Sequence, residues 1–172
     1  MTDDPLTAQW TSAQVEVMHR LRDWVVDFGE LNQHLAAWMR LPGTDANALG
    51  QIIWAAEAGT PLSPAQLARQ LGMTTGATTI LLNRLEAAGH VHRSRENTDR
   101  RRVTLRPTAA ARDRARQFLG LAGTEIATVL RTTPPDELTA VATFLARMTA
   151  AADQANLRLG RHGLQAGPGQ QP

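Results

Sequence analysis

The chain has no cysteine, and none of its 18 basic residues is a lysine. Without cysteine there are no disulfides, no thiolate metal ligands and no thiol chemistry for sensing peroxide, so any signal must reach the protein by another route. No apolar run approaches the roughly 18 residues needed to cross a bilayer. Residues Met1 to Pro5 lack the basic and apolar stretches of an export signal, so no membrane partner and a cytoplasmic location are expected. Also missing are a Gly-rich phosphate loop and a His-Glu-x-x-His metal pattern, which predicts a protein that is not an enzyme and has no cofactor. His90 and His92 have the spacing of one strand face, but two histidines do not specify a metal site.

What is present is unevenly placed. Residues 1–60 hold three arginines against eight acidic residues, whereas residues 91–116 hold nine arginines against Glu96, Asp99 and Asp113. A local positive field of that kind attracts phosphate whatever the net charge, which is only +2. The 172 residues are enough for one domain with additional helices used for association.

Helical spacing dominates the N-terminal part. Trp10, Val17, Leu21, Trp24, Phe28, Leu31, Leu35 and Met39 recur at steps of mostly three, four or seven, predicting one amphipathic helix or two with a break near Gly29. A helix over Ala46 to Ala58 follows. Ser63-Pro64-Ala65-Gln66 combines a cap, a first-turn proline and a capping-box glutamine, so a short helix to Leu71 is expected, ended by Gly72. Thr74 then caps a helix through Ala88 whose inward set is Ala77, Ile80, Leu81, Leu85 and Ala88.

Beyond Gly89 the pattern changes. Val91 to Arg95 alternates, Arg102 to Leu105 reads as a second strand, and the segment between them favours a turn. The pair forms a small wing that holds its arginines clear of the core. A helix from Pro107 or Thr108 to about Leu130 and another after Pro134-Pro135 complete the fold class: mainly α with a small β-wing. The tail from residue 159, rich in Gly, Gln and Pro, is expected to be disordered.

Helix, glycine turn, helix and basic wing is the order of elements that reads duplex DNA. On the second helix the outward candidates for base or phosphate contact are Thr75, Gly76, Thr78, Thr79, Asn83 and, nearer the backbone, Arg84. Arg93, Arg95, Arg100, Arg101 and Arg102 would grip phosphate or the minor groove, with Asp99 orienting Arg101. Apolar residues outside the reading unit, Trp10, Val17, Trp24, Phe28, Phe144 and Met148, offer surface to bury in a dimer.

Residues 46–115, and more loosely 10–155, resemble the MarR family of winged-helix transcriptional regulators. The resemblance rests on Leu62 to Gly72, on Thr78 to Val91, and on Asp99-Arg100-Arg101 followed by Val103-Thr104-Leu105. The segment Pro107 to Ala110 departs from it, since many members have a Thr-containing stretch ending in Gly there. The resemblance implies an N-terminal helical dimerisation region over 1–45, a winged helix-turn-helix lobe over 46–106, C-terminal dimerisation helices over 107–158 and a tail over 159–172. It implies a homodimer on a pseudo-palindromic operator in double-stranded DNA, commonly a repressor released by a small aromatic ligand. Trp24, Phe28, His34 and Trp54 are the candidate ligand pocket. The alternative is a nucleoid or architectural protein with weak sequence preference.

Overall fold

The computed structural model describes residues 10–95 and 103–163. The chain divides into two compact units, one ending at Gly123 and the other beginning at Thr124.

The first unit opens with α1 (Ser12–Met39), entered through a reciprocal capping box in which Gln14 N–H donates to Thr11 Oγ1 and Thr11 N–H donates to Gln14 Oε1. Gly29 does not interrupt it. The helix ends at Arg40, whose left-handed backbone lets its N–H reach the carbonyls of Ala36 and Ala37. Helix α2 (Gly43–Glu57) starts three residues before the expected Ala46, directly after Pro42. Next come α3 (Pro64–Leu71) and α4 (Thr75–Ala87), then strands β1 (Val91–Ser94) and β2 (Thr104–Pro107), and finally α5 (Ala109–Ala122).

The core of this unit is aliphatic and drawn from nearly every element. Met39 of α1, Ala48, Leu49 and Ile52 of α2, Leu67 of α3, Leu81, Leu82 and Leu85 of α4, Val91 and Leu105 of the strands and Ala111 of α5 form one buried cluster, joined by Leu62 of the α2–α3 loop. Burying each of the larger side chains contributes about 1.5–3 kcal/mol, so α3, α4 and the strands rest on a core shared with their flanking helices.

The strands pair antiparallel with Val91 opposite Pro107 and Ser94 opposite Thr104. The second strand therefore sits two residues later than Arg102–Leu105. Two contacts explain the shift: Leu105 N–H donates to Leu62 O at 2.8 Å, docking the strand on the α2–α3 loop, and Pro107 ends it, buried opposite Val91. A proline at the end of a strand loses no ladder bond. Thr108 then caps α5 and also donates its hydroxyl to Gly89 O at 2.8 Å.

The expected continuous helix to Leu130 is divided. Helix α5 stops at Gly123, where an added Cβ would lie 2.7 Å from the carbonyl oxygen of Leu119. In the second unit, α6 (Thr124–Thr132) is followed by α7 (Pro135–Gly163). Helix α7 carries on through Gly160, so residues 159–163 belong to a helix and not to a tail.

Candidate nucleic-acid interface

The turn between α3 and α4 is built by local chemistry. Ser63 caps α3, accepting from Gln66 N–H, and Gln66 Oε1 accepts from Ser63 N–H at 2.8 Å. Gly72 adopts φ +63°, which closes the Met73 N–H to Ala68 O bond at 2.9 Å. Thr74 Oγ1 then accepts from Ala77 N–H at 3.2 Å and starts α4.

The face that α4 turns inward carries Thr78, Leu81, Leu82 and Leu85. This corrects three expectations, the first being that Ala88 faces inward, since it is exposed. Thr78 is 2% exposed, its hydroxyl donating to Thr74 O at 2.9 Å, so it is a satisfied core residue and not a groove contact. Ile80, expected inside, is 60% exposed. The exposed residues of α4 are consequently Thr75, Gly76, Thr79, Ile80, Asn83, Arg84 and Ala87, with no acidic side chain among them and Glu86 half-buried. The signal was available: Thr78 stands four residues before Leu82 and seven before Leu85, within the stripe those leucines define.

Arg84 is exposed along one side but committed on the other. Its Nε and Nη2 donate to the two oxygens of Asp45 on α2 at 3.0 and 2.6 Å, and the Asp45 side chain is only 2% exposed. The hydrogen bond to Asp45 raises the Arg84 pKa, against the lowering effect of burial. The pair locks the last turn of α4 to α2, a role that no local pattern announces because 39 residues separate the partners.

Arg93 is also engaged. Its Nη1 pairs with Glu86, its backbone N–H donates to Glu86 Oε1 at 3.0 Å, and its Nη2 donates to Asn83 Oδ1 at 3.0 Å. The base of the wing is thus tied to α4 by α4's own polar residues. Arg95 is exposed at the end of β1, and Arg106 lies opposite His92. Asp99, Arg100, Arg101 and Arg102 lie outside the described residues.

The remaining candidates fall elsewhere. Trp10 and Val17 are exposed on or beside α1, and Phe144 and Met148 are half-buried on α7. Trp24 and Phe28 stack one turn apart with ring centroids 5.6 Å from each other, while His34, 3.8 Å from Glu30, lies further along α1. Trp54 is 79% exposed on α2 and shares no ring contact with Trp24 or Phe28 among the described residues. Sequence reasoning missed Trp38, whose Nε1 donates to Arg114 O at 3.1 Å while Arg114 Nη2 donates back to Trp38 O at 2.7 Å, clamping α1 to α5. It also missed that burial, and then the charge of Arg114, lower the pKa of half-buried His90.

Residues 41–102, from just before α2 to just before β2, match the model of the MarR family. Over that segment the chain is similar to the MarR family of winged-helix transcription regulators. Over 56 residues it is 43% identical to YcgE of Bacillus subtilis (strain 168), described as an uncharacterized HTH-type transcriptional regulator. That match spans 33% of this chain and 36% of the relative's length. Among solved structures, a mutant of MepR from a multidrug-resistant S. aureus clinical isolate is similar over 84% of this chain and 99% of its own, with 16% identity and a TM-score of 0.62. The transcription regulator MarR from Oenococcus oeni PSU-1 is similar over 78% and 98% respectively, with 17% identity and a TM-score of 0.57. At those identities the MarR-family likeness concerns the fold. No helix among the described residues is long and apolar enough to cross a membrane.

Proposed function

We propose that the protein is a sequence-specific DNA-binding regulator that works as a homodimeric repressor released by a small aromatic ligand. The observation that carries DNA reading is the outward face of α4: its exposed residues include no acidic side chain, and a wing base rich in arginine flanks it. Gly76 supports it. A Cβ there would meet nothing within 4 Å, so the fold leaves that point of the helix open to close approach of a duplex. The protein reads successive major grooves with two copies of α4, spaced roughly 34 to 36 Å apart. Trp10, Val17, Trp24 and Phe28 supply apolar surface to the dimer, with Phe144 and Met148 of α7 contributing from the second unit. The aromatic ligand meets Trp24, Phe28, His34 or Trp54. Arg100, Arg101 and Arg102 serve as the phosphate grip, with Asp99 orienting Arg101.

Duplex selection from a random library tests the reading. An enriched inverted repeat is expected, bound far more tightly than scrambled DNA at the same salt concentration. Enrichment of no motif, with equal affinity for every duplex, overturns sequence-specific regulation and favours an architectural role. Release of the selected duplex by aromatic acids or phenols tests the ligand; retention across such a panel removes that part of the proposal.

A further inference from the structure

Two side chains on the outward face of α4 have their chemistry set by their neighbours. Asn83 follows Ile80 by three residues and Thr79 by four, so the three share one stretch of helix surface. Asn83 Oδ1 accepts from Arg93 Nη2 at 3.0 Å. A guanidinium has only donors, which fixes the amide: the oxygen faces Arg93 and the NH2 faces away. Arg93 is held in turn at two further points by the Glu86 carboxylate.

An asparagine reads adenine by accepting from N6–H while donating to N7. At Asn83 the oxygen already lies against a cation. Its second lone pair remains, but the adjacent guanidinium opposes the approach of another positively polarised hydrogen, and it polarises the amide so that the NH2 becomes the stronger donor. Guanine offers two acceptors, O6 and N7, on the same edge. Ile80 brings no polar atom and is 60% exposed, and the major groove has one apolar feature for it to cover, the 5-methyl group of thymine.

We infer that α4 reads a mixed step, with a 5-methyl pyrimidine under Ile80 and an acceptor edge, guanine in preference to adenine, under Asn83. The inference rests on the DNA-reading proposal above and gives it a specific content. Arg93 is then a positioning residue, acting on the base through the amide it orients.

The test uses the full-length protein and the duplex it selects. The base pair read by Asn83 is the one whose preference disappears in Asn83→Ala, and it is expected to be guanine over adenine by roughly fivefold or more in the wild type. Asn83→Asp still accepts from Arg93 but has no donor, so it loses the guanine preference as well. Arg93→Ala releases the carbonyl and shifts the ratio toward adenine, even where total affinity falls. Replacing the thymine under Ile80 by deoxyuridine weakens wild-type binding by roughly threefold or more and leaves Ile80→Ala unaffected. Adenine preferred at the Asn83-dependent position, or a guanine preference retained in Asn83→Asp, overturns the donor assignment. Equal binding of thymine and uracil duplexes overturns the role of Ile80. A protein that enriches no motif fails the underlying reading instead, and that result is recognisable because no position then responds to any variant. Circular dichroism on each variant verifies the fold.

Discussion

His90 closes the loop between α4 and β1, half-buried and within the field of Arg114. Its folded pKa lies below that of an ordinary histidine, which titrates near 6.5, so as pH falls the unfolded chain takes up the proton first. The stability tied to neutral His90 is complete above that pH and is lost as pH falls through it toward the lower folded value. Urea midpoints measured from pH 8 to pH 5 should therefore fall less in His90→Gln than in the wild type; parallel profiles would remove the effect. Gly76 makes a prediction of opposite signs. Gly76→Ala should raise stability by up to about 1 kcal/mol through a stiffer unfolded chain, while weakening duplex affinity because the methyl group stands where DNA approaches. Thr78 marks the limit of reading at this scale. Its polarity pointed to the surface and Ile80's hydrophobicity to the core, yet the burial of Leu81, Leu82 and Leu85 rotates the helix by about one residue and reverses both.

Elements were legible where their ends are decided by neighbours in the chain. Ser63 with Gln66, Thr74 and Gly72 delimit α3 and α4 where local capping rules place them. The strand shift and the break at Gly123 were not legible, because Leu105 is drawn to Leu62 and the second half of the expected helix belongs to a different unit. The link between α2 and α4 also escaped local rules, and its two halves are unequal. Arg84→Ala strands a carboxylate that is 2% exposed, whereas Asp45→Asn leaves a neutral amide beside a half-exposed guanidinium. The urea midpoint should fall further in Arg84→Ala than in Asp45→Asn, as judged by equilibrium unfolding. Equal losses would mean that the pair acts by packing alone.

At the scale of the molecule, the order of the motifs made the winged-helix class legible, while the pairing of Trp38 with Arg114, 76 residues apart, required the tertiary structure. Helix α1 leaves Trp24, Val25, Val26 and Phe28 exposed in a single chain, a concentration of apolar surface that self-association would cover. Sedimentation over a concentration series should show a wild-type dimer and a monomeric Trp24→Glu, Phe28→Glu double variant with reduced duplex affinity. A wild-type monomer at every concentration would refute the dimer.

The wing is fastened at its root. Val91 faces Pro107, Thr108 N–H donates to His90 O at 2.9 Å, and the Thr108 hydroxyl bonds Gly89. Insertions between Ser94 and Thr104 would therefore not be transmitted to α4, and each doubling of that span adds only about 0.6 kcal/mol of closure entropy. On the proposed reading, a longer or shorter wing would change the reach along a duplex and leave the residues that α4 presents as they are.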